Sequence, residues 1–198
     1  MNAIFSEITE HLLNDASPSE YFNKISHEPF FDKYPLEMLQ KLKSAEQTPK
    51  YHPEGNVWNH TMMVLDEAAK VKNKSKNEKI FMWAALLHDI GKPSTTKIRN
   101  GKITSYEHDI AGERLAAEFL KEFTSNEQFI NGVTSLVRWH MQILFVVKDL
   151  PFADIYSMKK QSDVNEIALL GLCDRLGRIG ADRRKEEENI RIFLEKCK

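Results

Sequence analysis

Apolar residues recur with the period of an α-helix through almost every informative stretch of this 198-residue chain, and that spacing constrains the fold more than any other feature. Val57, Thr61, Val64, Leu65, Ala68 and Val71 form one stripe. After the polar break Asn73-Lys74-Ser75-Lys76-Asn77, residues Ile80, Trp83, Ala84 and Leu87 form the next, so two antiparallel helices are the simplest reading. A further helix is predicted from about His108 to Phe123. Another carries Phe129, Val133, Leu136, Val137, His140 and Leu144 on one face, and a last pair covers roughly residues 164–196. Ahead of these, residues 1–43 hold shorter helical pieces punctuated by Pro18, Pro29 and Pro35. Residues 1–49 are therefore read as a helical appendage to a core at 50–198 within a single domain. One segment breaks the pattern: Thr95–Arg99 and Lys102–Tyr106 are β-rich runs flanking Asn100-Gly101, a strong signal for a tight hairpin. The predicted class is all-α, a helical bundle with a small β-hairpin inserted near Thr95–Tyr106.

Hydrophobic residues make up 41% of the chain, enough to bury a substantial core without staples. The two cysteines, Cys173 and Cys197, form neither a Cys-x-x-Cys pair nor a disulfide framework, so a reducing compartment is expected. No basic leader precedes an apolar stretch and nowhere do eighteen apolar residues run together, so a cytoplasmic, membrane-free protein is expected. With 28 Lys plus Arg against 29 Asp plus Glu, the chain lacks the overall positive field of non-specific nucleic-acid binders. No extended nucleic-acid surface is evident, and such a partner would have to be met locally. The run Asp182-Arg183-Arg184-Lys185-Glu186-Glu187-Glu188 mixes signs at helical spacing and reads as a solvated helix face.

The chemistry-bearing residues sit inside the apolar runs. His88-Asp89 ends the run Leu86-Leu87, and Ala84 and Ala85 one turn earlier leave room beside the pair for a ligand from a neighbouring segment. Asp174 lies in Ile167-Ala168-Leu169-Leu170-Gly171-Leu172-Cys173-Asp174, facing the core, where an unpaired carboxylate costs several kcal/mol. It needs a cation, and either an arginine or a metal would serve. His60 and His140 each accompany an apolar stripe, and either alone would read as an ordinary core histidine. Together with the His-Asp pair, His108 and Asp174, they require several separate coincidences or one metal. Imidazole and carboxylate without thiolate suit Mn, Fe, Co, Ni or catalytic Zn, while several imidazoles argue against a site dedicated to Mg. His11 and His27 read as surface residues, Cys173 as a small buried hydrophobe. His52, in Tyr51-His52-Pro53-Glu54, is close enough in sequence to His60 to face the site.

The order His60, His88-Asp89, Asp174 resembles the HD superfamily of metal-dependent phosphohydrolases, and within it the HD domain of bacterial CCA-adding tRNA nucleotidyltransferases. The resemblance rests on Tyr51-His52-Pro53-Glu54 with Asn59-His60-Thr61-Met62, Leu87-His88-Asp89-Ile90-Gly91-Lys92, Tyr106-Glu107-His108-Asp109-Ile110-Ala111-Gly112, Val137-Arg138-Trp139-His140-Met141, and Asp174-Arg175-Leu176-Gly177-Arg178. It spans about two thirds of the chain. It implies that His60, His88, Asp89 and Asp174 hold a first metal, and that Asp89 is shared with a second held by His108 and His140. No nucleotidyltransferase motif accompanies the match, so CCA addition is not implied, and no Gly-Tyr-Pro signature points to cyclic-di-GMP hydrolysis.

The expected reaction is hydrolysis of a phosphoester by metal-activated water, with His88, Asp89, Lys92 and Asp174 at the chemistry. The substrate would be a phosphomonoester or 2′,3′-cyclic phosphodiester on a phosphorylated small molecule, a nucleotide or an RNA end. Lys92, Arg175, Arg178 and His52 are the candidate substrate contacts, although an arginine is equally a partner for a buried carboxylate. Two readings of other classes stand beside it: a dinuclear-iron oxygenase using the same ligand set, and a non-catalytic nucleotide-binding module.

Overall fold

The computed structural model describes residues 2–198; Met1, the first residue of the predicted appendage, lies outside the described residues. The helices are α1 (Asn2–Asn14), α2 (Pro18–Ile25), α3 (Glu37–Gln40), α4 (Val57–Ala69), α5 (Glu78–Leu87), α6 (Lys92–Thr95), α7 (His108–Lys121), α8 (Glu127–Trp139), α9 (Gln142–Val147), α10 (Ile155–Gln161), α11 (Val164–Leu176) and α12 (Arg183–Lys196). Two strands, β1 (Lys97–Arg99) and β2 (Lys102–Thr104), lie between α6 and α7. The fold is all-α with one small sheet.

Helix starts follow from local chemistry. Asn56, Asn77, Asn126, Asp154, Asp163 and Asp182 each accept a hydrogen bond at their side chain from a backbone N–H of the first turn. Each such cap stabilises its helix by about 1 kcal/mol. The helix expected to run through Leu144 is instead two, α8 and α9, because the chain turns at His140 and Met141. At that break the His140 ring donates from Nδ1 to the Val137 carbonyl at 2.6 Å, a side-chain bond available where the backbone ladder ends. His88 does the same to the Ala85 carbonyl at 2.9 Å, and α5 ends one residue before it.

The core centres on α5, which packs against α1, α4, α8 and α11. Trp83, Phe81, Leu65, Phe119 and Val133 are fully buried there, each contributing about 1.5–3 kcal/mol through removal from water. Ile8, Leu12, Phe22, Phe31, Leu39 and Leu42, from the proline-punctuated start, are fully buried in the same cluster. Phe5 stacks on Trp83 with ring centres 4.9 Å apart, and the indole N–H donates to Thr9 Oγ1 at 3.1 Å. On α12, Arg191 bridges Glu188 and Glu195 on a solvated face. Cys173 and Cys197 are free and buried, and burial pushes the Cys173 thiol up to about 12. Among the described residues, no helix is long and apolar enough to cross a membrane.

The hairpin forms where predicted, but it is shorter, since Thr95 belongs to α6. Arg99 pairs with Lys102, Ile98 with Ile103 and Lys97 with Thr104. The two linking residues, Asn100 and Gly101, have φ of 49° and 72°, the left-handed pair that a two-residue turn between twisted strands requires. The Thr96 and Ser105 hydroxyls, 2.7 Å apart, close the base.

One close approach locks the start of α7 against the end of α5. A Cβ on Gly91 would lie 2.1 Å from the His108 carbonyl oxygen and 2.6 Å from the Gly112 nitrogen, both backbone atoms that cannot step aside. Gly91→Ala is expected to cost about 2 kcal/mol, lowering the melting temperature by roughly 4–8 °C. Gly101→Ala, whose Cβ meets nothing within 4 Å, is expected to cost about 1 kcal/mol through its positive φ alone. Thermal denaturation of the two variants checks this; equal losses would contradict the packing account.

Candidate metal centre

Six potential ligands come from five places in the bundle: His60 in the first turn of α4, His88 and Asp89 just past α5, His108 at the start of α7, His140 just past α8, and Asp174 in the last turn of α11. The structure brings all six together. Their relative exposures, 0% for His60 and His88, 1% for Asp89, 7% for His108, 2% for His140 and 8% for Asp174, leave almost no water to solvate them.

The histidines are held in one tautomer by the backbone. Nδ1 of His60 lies 3.0 Å from the Gly177 carbonyl oxygen, that of His88 2.9 Å from Ala85, that of His108 2.7 Å from Ser105 and that of His140 2.6 Å from Val137. A carbonyl only accepts, so each Nδ1 carries a proton, and each neutral ring presents a bare lone pair at Nε2. These lone pairs converge. His88 and His60 Nε2 lie 3.2 and 3.7 Å from Asp89 Oδ2, while His108 and His140 Nε2 lie 3.5 and 3.8 Å from Asp89 Oδ1. His60 Nε2 is also 3.0 Å from Asp174 Oδ1. His108 and His140 oppose each other Nε2 to Nε2 at 3.3 Å, and His88 Nε2 is buried with no hydrogen-bonding partner.

Protonation does not resolve this crowding of acceptors. Burial, reinforced by the charges of His108 and His88, pushes His140 down to about 4, and burial likewise lowers His108. Both are therefore neutral near pH 7 with their lone pairs opposed. His60 differs: burial works against its charge, but the Asp174 and Glu54 carboxylates prevail and raise it. Burial also opposes ionisation of the two aspartates, yet Lys92 beside Asp89 and Arg178 beside Asp174 hold both well below the usual carboxylate range. Two ionised carboxylates and a set of imidazole lone pairs fit a cation as their common partner. The ligand atoms fall into two groups, His60 with His88 and Asp174, and Asp89 with His108 and His140, each spanning no more than 4.8 Å. Asp89 lies between them and could serve both, so the donors could hold one or two divalent ions.

The flanking residues separate into two kinds. Lys92 Nζ is 2.6 Å from Asp89 Oδ2 and donates to Gln47 Oε1 at 2.7 Å. Arg178 donates to Asp174 Oδ1 at 3.0 Å. Arg175, expected beside the phosphate, is turned to α12, where it donates to Glu186 at 3.0 Å. Adjacent positions on a helix diverge by about 100°, so Asp174 facing inward sends Arg175 away. His52 is half-buried with its ring centre 4.9 Å from that of His60, and its Nδ1 meets Glu54 Oε1 at 2.8 Å. Burial, with the charges of Lys92, His60 and Arg178, takes His52 down to about 4. His11 stacks on Tyr21 and pairs with Asp15 away from the centre.

Two contributors escape sequence reasoning. Glu54 is buried, with Oε1 3.2 Å from His60 Nδ1, and although burial opposes its charge, the His60 and His52 hydrogen bonds pull it down to about 2. A carboxylate so placed orients the ring whose Nε2 faces the centre. Gln47 holds Lys92. Both belong to irregular chain, where no periodicity marks a residue as inward-facing; for Glu54 the signal was its place in the stretch Tyr51-His52-Pro53-Glu54 close before His60.

Comparison with known proteins places this geometry in context. The family model described as HD domain matches residues 57–176. Among curated proteins named Multifunctional CCA protein, that of Hahella chejuensis is 27% identical over 202 residues, covering 96% of this chain and 45% of its own length. That of Halorhodospira halophila is 34% identical over 107 residues, covering 54% of this chain and 24% of its own. That of Actinobacillus pleuropneumoniae serotype 5b is 32% identical over 99 residues, covering 48% and 24%. The chain spans less than half the length of these relatives.

A cluster of acceptors lacking protons should be stabilised by a divalent transition ion. At a hundredfold excess over its Kd such an ion contributes about 2.7 kcal/mol, so the melting temperature should rise by roughly 5–10 °C. Thermal shift with Mn, Fe, Co, Ni, Zn and Mg in turn measures it, with Asp89→Ala as the control. No shift with any ion, or an equal shift in Asp89→Ala, would count against a metal at this centre.

Proposed function

The chain belongs to the HD domain family, and from that membership and the geometry of its centre we propose that it is a metal-dependent phosphohydrolase acting on phosphoesters of nucleotides or RNA ends. The observation that carries the reading is the convergence of four histidine Nε2 atoms on Asp89, with two cationic side chains, Lys92 and Arg178, against the carboxylates. His60, His88, Asp89 and Asp174 would hold one ion, and His108 and His140 would hold a second with Asp89 within reach of both. When bound, such an ion polarises a phosphoryl oxygen and lowers the pKa of water toward neutrality.

The protein's own groups do the rest. The backbone carbonyls keep each imidazole proton on Nδ1, so no reorientation is needed before a ligand is met. Lys92 and Arg178 keep Asp89 and Asp174 ionised despite burial, and their N–H groups are the donors suited to non-bridging phosphate oxygens. His52, hydrogen-bonded through Nδ1 to Glu54, presents its other ring nitrogen as a further substrate contact. Arg175 serves as a tie between α11 and α12.

The substrate class draws on the relatives, whose printed name refers to CCA, and on the resemblance of the motifs to the HD domain of CCA-adding tRNA nucleotidyltransferases. Nucleoside 2′,3′-cyclic phosphates and nucleoside monophosphates are the favoured substrates to test. In a screen of phosphomonoesters and cyclic phosphodiesters with several divalent metals, the unmutated chain should release phosphate or open the cyclic ester. Asp174→Asn should keep its fold and lose more than the roughly 100-fold typical of an outer-sphere change. Arg175→Ala should leave turnover nearly intact and cost at most about 1 kcal/mol of stability. A metal-filled but inactive protein would reject the hydrolase, and a mixed-valent iron signal in that protein would select the oxygenase in its place.

A further inference from the structure

The hairpin that precedes His108 carries charge of one sign only. Residues 95–106 hold three basic side chains, Lys97, Arg99 and Lys102, and no acidic one, in a chain whose net charge is −1. In an antiparallel pair, directly opposed residues share a face. The pairing of Lys97 with Thr104 and Arg99 with Lys102 therefore puts all three cations on one side of the ribbon, with Ile98 and Ile103 on the other. All three are exposed. Among the described residues, none of them enters an ion pair of the kind that holds Arg138 to Asp109 or Arg175 to Glu186. Beside them Tyr106 is 61% exposed, and the Arg99 guanidinium lies 4.7 Å from its ring centre, so a cation and a π-face are offered together.

This surface is joined to the centre by covalent and hydrogen-bonded links. Ser105, the residue before Tyr106, gives its carbonyl to His108 Nδ1, and Lys102 is three residues, about 10 Å of strand, further out. Glu107 adopts a left-handed φ of 60°, turning the chain sharply from the hairpin into α7, so the ribbon stands immediately beside the ligand it supports. On the β2 strand Thr48 donates to the Ile103 carbonyl, anchoring the segment that carries exposed Lys50 and Tyr51, again a cation 5.3 Å from an aromatic ring.

We propose that the hairpin binds the single-stranded polynucleotide leading to the scissile phosphate: Arg99 and Lys102 neutralise backbone phosphates and Tyr106 stacks a base. This rests on the phosphohydrolase reading and narrows its substrate from mononucleotides to strand ends. A free mononucleotide in the centre has no use for cations about 10 Å away along a strand, whereas alternating cations and exposed aromatic rings are what a single strand uses.

The test is fluorescence anisotropy of a labelled single-stranded RNA oligonucleotide with the full chain, in chelator, over a range of salt. The unmutated protein should bind with a steep salt dependence. Arg99→Ala with Lys102→Ala should weaken binding about tenfold and reduce the log–log salt slope by about 1.4, two contacts at roughly 0.7 each. Tyr106→Ala should weaken binding about tenfold and leave the slope unchanged. Metal-induced thermal shift and hydrolysis of a mononucleotide should be the same in all variants as in the unmutated chain. The proposal is overturned if the variants bind RNA like the unmutated chain, or if polyglutamate of matched charge displaces RNA as well as unlabelled RNA does. RNA binding lost in the variants while no phosphoester is turned over would sustain the hairpin surface and reject the hydrolase. Mononucleotide hydrolysis without strand binding would do the reverse.

Discussion

The buried carboxylate of Asp89 is the constraint that the surrounding structure answers. At 1% exposure it has lost its hydration, a cost of several kcal/mol that only cations or strong donors can offset. Lys92 answers part of it at 2.6 Å, and the facing rings of His60, His88, His108 and His140 surround both oxygens. His108 and His140 cannot offset the charge, because burial keeps them neutral and their Nε2 atoms are acceptors. A site in which acceptor faces acceptor is unstable on its own terms, and the stability of the whole centre is therefore tied to what it binds.

The ligands sit at or near helix ends, and the same bonds that fix their tautomers shape the fold. His88 and His140 each take the carbonyl three residues earlier, coupling the place where the helix stops to the direction the ring points. His108 does the equivalent before its helix, reaching back to Ser105 in the hairpin base. Gly91 then allows the turn after α5 to touch the start of α7 backbone to backbone, and a Cβ on Gly177 would lie 2.8 Å from the Val64 nitrogen, so the end of α11 meets the middle of α4 in the same way. Small residues at these two contacts hold His60 near Asp174 and Asp89 near His108.

How much could be read in advance depended on periodicity. The stripes around Val57–Val71 and Ile80–Leu87 became α4 and α5 because a 3.6-residue repeat of buried side chains has one solution in water. The hairpin was legible because Asn100-Gly101 meets the positive φ its turn needs. The break at His140 was not, since the apolar stripe continues through it and nothing in the local sequence marks the turn between α8 and α9. Arg175 and Arg178 looked equivalent beside Asp174, yet one meets the carboxylate and the other turns to Glu186. Glu54 and Gln47 lie in irregular chain, where sequence carries no facing information.

The amino-acid order alone therefore determined that the protein is a helical bundle with one inserted hairpin, that His60, His88, Asp89, His140 and Asp174 accompany apolar faces, and that residues so placed call for a cation. Those conclusions follow from local rules of helix period, turn conformation and the cost of burying charge. Tertiary structure decided which lone pairs face one another, that Asp89 lies between two groups of donors, and that Arg178 guards the Asp174 carboxylate while Gln47 and Glu54 reach the centre from irregular chain. These are distances between residues far apart in sequence, His60 and Asp174 being 114 positions apart. Packing sets such distances, and no local pattern contains them.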